Sequence, residues 1–79
     1  MSLWRNFETK NYHGMVELKT GKIVAYENTN RRSRRVIETN INHPVSLFPY
    51  TDEDQIILMA RKVWLNETGI LSGSCYEKN

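Results

Sequence analysis

Met15-Val16-Glu17-Leu18-Lys19-Thr20-Gly21-Lys22-Ile23-Val24-Ala25-Tyr26-Glu27 is the stretch that decides the fold of this chain. Two runs of β-forming residues flank Thr20-Gly21, and glycine supplies the positive φ that a tight hairpin turn requires. With Thr20-Gly21 as the loop, Lys19 faces Lys22, Leu18 faces Ile23 and Val16 faces Ala25. That register gathers Val16, Leu18, Ile23 and Ala25 on one sheet face. Glu17, Lys19, Lys22, Val24 and Tyr26 fall on the other, left for solvent or a partner. The first set is apolar throughout, so a hairpin over about residues 15–27 is expected, with that face turned to a core.

Downstream, a third strand is expected at about 34–41, with Ile37, Thr39 and Ile41 alternating against Val36, Glu38 and Asn40. Its polarity suits a sheet edge, and Asn42-His43-Pro44 ends it because proline has no N–H for the ladder. Val45 to Tyr50, bounded by Pro44 and Pro49, reads as an apolar connector covering the core. Thr51 fits a helix N-cap, with Asp54 closing a capping box. Asp52, Glu53 and Asp54 complement the positive end of the helix dipole, and Arg61 and Lys62 fall toward its other end. Ile56, Met59, Ala60, Val63 and Trp64 recur at helical spacing, broadened by Ile57, which places Trp64 in the core. Gly69 is placed as a left-handed C-terminal cap with Ile70 as its apolar contact. A helix over about 52–67 follows.

Residues 1–14 mix aromatic and polar side chains without clear periodicity and read as an N-terminal arm, with Trp4, Phe7 and Tyr12 packed back on the domain. Residues 72–79 read as a flexible tail. The expected architecture is one α+β domain over 1–79, a three-stranded antiparallel sheet packed by one C-terminal helix in two layers.

At 79 residues, a domain buries only roughly 60% of the surface its unfolded chain exposes. Association into a homodimer is one way to gain burial, although the sequence does not demand it. Cys75 is the single cysteine, which rules out an intramolecular disulfide and a cysteine-based zinc cluster and points to a reducing compartment. His13 and His43 have no further Cys or His at ligand spacing, so neither a metal nor a cofactor is expected. The glycines at 14, 21, 69 and 73 are isolated and form no phosphate-cradling loop. No basic-then-apolar leader is visible at the N-terminus, and no window approaches the roughly 20 apolar residues of a membrane span. A cytoplasmic, membrane-free protein is the expectation.

Charge is more telling. The net is +2, but residues 1–40 carry eight Lys/Arg against four Asp/Glu, and residues 41–79 carry three against five. Arg31, Arg32, Arg34 and Arg35 crowd the loop after the hairpin, and guanidinium groups that close repel one another unless solvated or opposed by anions. With Lys19, Lys22 and Tyr26 on the sheet face they form the candidate surface for a phosphate backbone and its bases. In element order this is similar to the three-strand-plus-helix modules of phage-integrase arm-binding domains and of a class of plant DNA-binding domains. That resemblance implies a sheet inserted into the DNA major groove.

The expected function is therefore a small non-enzymatic binder of DNA or RNA, a regulator or accessory factor of the kind phages and mobile elements encode. The alternative is an inhibitor or adaptor that engages an acidic face of a larger host enzyme or defence complex. A remote third reading is a small ribonuclease using His13 and His43 as an acid–base pair.

Overall fold

The computed structural model describes residues 3–28 and 35–69. They form four strands and a helix: β1 (Trp4–Glu8), β2 (Tyr12–Glu17), β3 (Lys22–Glu27), β4 (Val36–Asn40) and α1 (Asp52–Thr68). The sheet is antiparallel throughout, in the order β1-β2-β3-β4. The helix crosses one face, mainly over β1 and β2, and the other face is open.

The N-terminal arm is thus a correction. Residues 4–8 and 12–14 are strand, making the sheet four-stranded rather than three-stranded. Thr9 closes the connecting turn: its N–H donates to Tyr12 O at 2.7 Å, and its Oγ1 accepts from Tyr12 N at 3.0 Å. Two residues hide the alternation. Arg5 occupies an inward register position opposite Val16 and reaches Glu67 of the helix at 3.1 Å. Gly14, mid-strand, lacks the side chain that would mark its face. That gap is structural, because a Cβ there would sit 2.2 Å from Val24 O and 3.0 Å from Phe7 Cζ. The Phe7 ring, directly opposite, fills the space.

The β2–β3 register differs from expectation by two residues. Val16 pairs with Ile23 and Gly14 with Ala25, so Leu18–Gly21 is a four-residue loop. Gly21 takes φ 78°, and its N–H donates to Glu17 O at 2.7 Å. A shift of two preserves every facing, since side chains alternate with period two. Val16, Ile23 and Ala25 are fully buried, with Phe7, Tyr12 and Ile41 beside them.

Glu17 is a second correction. It lies on the outer face by register, yet it is buried. One carboxylate oxygen accepts from Thr20 N and Thr20 Oγ1, both at 2.7 Å, and the other accepts from Leu3 N at 3.1 Å. These bonds, led by the Thr20 hydroxyl, hold its pKa below the ordinary carboxylate value.

The helix forms as its ends dictate. Thr51 Oγ1 accepts from Asp54 N at 3.1 Å, and Asp54 accepts from Thr51 N at 2.9 Å. At the other end Gly69 adopts φ 72° and donates to Leu65 O at 2.8 Å. Ile56, Ile57 and Ala60 are fully buried, while Met59, Val63 and Trp64 pack around them. Trp64 Nε1 donates to Leu18 O at 2.7 Å, tying α1 to the β2–β3 loop. Because α1 extends to Thr68, Arg61 and Lys62 are not in its last turn. Arg61 instead donates to Ile41 O at 2.6 Å and His43 O at 2.8 Å, fastening the β4–α1 connector along the β4 side of the helix. Within Val45–Tyr50 only Val45 packs on the core. Leu47 is 90% exposed and Phe48 83%, so the segment does not cover the core as its composition suggested.

Candidate nucleic-acid interface

The face away from α1 can be read from the register alone. Its middle row is Asn6, Met15, Val24 and Glu38, and the row toward the β3–β4 loop is Glu8, His13, Tyr26 and Val36. At the other end Trp4 pairs with Glu17 and Lys22 with Asn40. Trp4, Met15, Val24 and Tyr26 are half-buried by their neighbours, and His13 is exposed. The result is an open pleated surface, apolar at its centre and edged by polar groups.

His13 and Tyr26 are direct cross-strand partners, and their rings lie nearly parallel, with centroids 5.7 Å apart and planes 19° apart. His13 Nδ1 bonds to the Asn28 side-chain oxygen, which fixes the imidazole plane. On its β1 side an open hollow of about 510 Å³ is lined by Asn6, Phe7, Glu8, His13 and Gly14. An aromatic wall beside an amide and a carboxylate suits a flat ligand with donors and acceptors along its edge.

The residues singled out from sequence divide accordingly. Tyr26 lies on the open face in the aromatic pair. Lys22 is exposed at the start of β3, and Lys19 is exposed in the adjoining loop, both at the end of the sheet far from His13. Arg35 is exposed just before β4 and marks the near end, its carbonyl accepting from Glu27 N at 3.3 Å. It lines a cleft with Glu27, Asp52 and Glu53. Nevertheless, Arg5–Glu67 is the ion pair formed among the described residues. Arg31, Arg32 and Arg34 lie outside the described residues, as do Cys75 and the 72–79 tail.

The sequence pointed to Tyr26, named His13 only as half of an acid–base pair with His43, and missed Asn6 and Glu8, whose placement needs β1. The available signal was Trp4-Asn6-Glu8 alternating with Arg5-Phe7 ahead of the polar Thr9-Lys10-Asn11 turn. His13 and His43 do not meet. His13 pairs near the end of β3, whereas His43 follows β4 beyond the start of β3, its Nδ1 bonded to Pro44 O at 2.8 Å.

Among the described residues, no three His, Cys, Asp or Glu side chains gather as a metal site, and no helix is long and apolar enough to cross a membrane. No family model, curated protein or solved structure matches the chain.

Proposed function

We propose that this chain is a small non-enzymatic nucleic-acid-binding protein, a regulator or accessory factor, that takes a single strand across its open sheet face. The observation that carries the reading is the His13–Tyr26 pair of parallel rings on an uncovered sheet, with an open hollow beside it. Single-strand modules use such faces, stacking bases on aromatic side chains while cationic groups follow the phosphates. Lys19 and Lys22 lie beyond Met15 and Val24 at one end of the platform, and Arg35 is exposed at the His13 end, on the helix side by register. Arg31, Arg32 and Arg34 precede Arg35 in the sequence. Four residue steps along β3 separate Tyr26 from Lys22, about 13 Å, a span suited to a few nucleotides. Asn6 and Glu8 are placed to read the edge of a base held in the hollow.

The fourth strand favours a single strand over insertion of the sheet into a duplex. Four strands set their outer axes about 14 Å apart, more than the ~12 Å width of a B-DNA major groove. Three strands would span only about 10 Å.

Fluorescence anisotropy with labelled single-stranded and duplex DNA and RNA, across a salt series, tests this. The expected result is preference for single strands and a loss of roughly 5- to 150-fold for Tyr26→Ala, the range of one stacked base. Replacing Arg31, Arg32, Arg34 and Arg35 by Ala should flatten the salt dependence by about 0.7 for each phosphate no longer neutralised. Equal binding by Tyr26→Ala, or tighter binding to duplex than to single strand, would refute the reading.

A further inference from the structure

Leu47 and Phe48 are the most exposed large apolar side chains of the described residues, at 90% and 83%. Tyr50 meets Phe48 edge-on, ring centroids 5.9 Å apart. Both ends of this loop are held by one side chain. Asp54 accepts from Ser46 N at 3.1 Å through one carboxylate oxygen and from Thr51 N at 2.9 Å through the other. Asp54 is itself only 5% exposed, and these bonds, the Thr51 one foremost, keep its pKa below the ordinary carboxylate value. The backbone of this apolar knob is therefore held at both ends, at residues 46 and 51, which lowers the backbone ordering entropy lost when it seats in a partner.

The charge around the knob narrows the partner. Residues 42–54 contain no Lys or Arg, and the exposed acids Asp52 and Glu53 follow directly. Arg35 shares a cleft with Asp52 and Glu53 and Arg61 is bonded to the His43 carbonyl, but at the start of α1 the two acids suit an apolar pocket with a basic rim. This molecule carries such a pocket. Between the β1–β2 turn and α1, Thr9, Lys10, Gln55, Leu58, Met59 and Lys62 line a groove of about 330 Å³, ample for a phenyl ring. Leu58 and Met59 supply apolar walls, and Lys10 and Lys62 are exposed at its edges.

The knob is anchored on the flank of α1 that carries Asp54 and Arg61, beside β4. The groove lies on the flank of Gln55, Met59 and Lys62, beside the β1–β2 turn. One molecule's knob does not lie over its own groove, so the two meet only between copies.

We infer that the chain self-associates by seating Leu47 and Phe48 of one molecule in the Leu58–Met59 groove of another, with Asp52 and Glu53 facing Lys10 and Lys62. A two-fold axis makes the contact twice and closes a dimer, whereas a one-sided contact builds an open series.

Sedimentation equilibrium of the full chain over a wide concentration range reads this directly. Reversible association is expected, and Phe48→Ser should raise the dissociation constant about 30-fold or more, as truncation of a central aromatic anchor does. Its thermal melt at low concentration should be unchanged, because Phe48 stands outside the core. A charge exchange assigns the groove. Lys10→Glu/Lys62→Glu and Asp52→Lys/Glu53→Lys should each associate weakly alone, and mixing them should restore wild-type affinity, since each knob again meets a groove of opposite sign. A monomer at every concentration overturns the inference and leaves the knob to a different protein. Association indifferent to Phe48, or not restored on mixing, overturns it equally. Oligonucleotide anisotropy with Phe48→Ser separates this from the sheet-face reading, because that variant keeps His13 and Tyr26 intact.

Discussion

Gly14→Ala should be among the most damaging single-methyl changes in the sheet, for reasons unconnected with backbone freedom. Gly14 has no positive φ, so alanine would accept its conformation. The obstacle is crowding: the new Cβ would lie 2.2 Å from Val24 O, 2.9 Å from Ala25 Cα and 3.0 Å from Phe7 Cζ. Two of those atoms are backbone of β3 and cannot rotate away. Relief requires β2 and β3 to part by about 1 Å where strands normally lie about 4.8 Å apart, which strains the ladder on both sides of the Gly14–Ala25 pair. Phe7 must move as well, although it is buried and filling that space. Overpacking of this kind costs about 1–3 kcal/mol, against a total stability of about 4–12 kcal/mol for a chain of this length. The expected fall in melting temperature is about 4–24 °C. Circular-dichroism melts of wild type, Gly14→Ala and Gly69→Ala provide the comparison. A Cβ at Gly69 would have no neighbour within 4 Å, but the backbone there sits at φ 72°. Alanine at that position should therefore cost about 1–2 kcal/mol through backbone strain alone. A Gly14→Ala protein melting within about 2 °C of wild type would refute the claim that Phe7 and β3 need this position empty.

Other outcomes follow from single groups. Thr39 Oγ1 is buried without a hydrogen-bond partner among the described residues, so Thr39→Val should stabilise by about 1 kcal/mol, and a lower melting temperature would contradict that. Trp64→Phe keeps an aromatic body but removes the 2.7 Å bond to Leu18 O, costing about 1 kcal/mol plus the packing of the larger ring, measured by urea denaturation. Glu17 and Asp54 both have lowered folded pKa values. Their stabilisation is present above the ordinary carboxylate range and is lost as pH falls through those lowered values. The melting temperature should therefore drop on acidification below about pH 4, and Glu17→Gln with Asp54→Asn should be less stable at neutral pH while showing a shallower acid drop.

The fold was legible wherever a pattern repeated. The α1 boundaries followed from Thr51, Asp54 and Gly69, since each satisfies an orphan backbone group that every helix end presents. The core face of β2 and β3 survived an error of two in register because parity, not pairing, assigns a face. The N-terminal hairpin was illegible because its inward positions include Arg5 and Gly14. One is a cation that answers a glutamate sixty-two residues away; the other is an empty position filled by the strand opposite. Both have reasons that exist only after folding. The Leu47–Tyr50 connector misled in the opposite sense. Its apolarity is real, but Asp54 turns it outward, and no composition rule registers a carboxylate holding two backbone amides.

The candidate site was half legible for the same reason. Charge is visible in a sequence, so Arg35, Lys19 and Lys22 stood out, yet charge says only that an anion is attracted. What distinguishes a base-stacking platform from a solvated basic loop is an aromatic pair, and a pair is a property of register. Tyr26 acquires His13 because β2 and β3 meet with residues 13 and 26 opposed. His13 acquires its hollow because β1 lies beyond it and Gly14 follows it. A one-residue slip in β2–β3 pairing would carry His13 to the helix side and dissolve the platform while leaving every lysine and arginine in the chain. The proposed specificity of this surface therefore rests on Gly14 and the turn at Glu17–Gly21, which hold that register. A folded variant that rearranges either one should bind oligonucleotides with its salt dependence intact and its affinity for single strands reduced by about the worth of one stacked base.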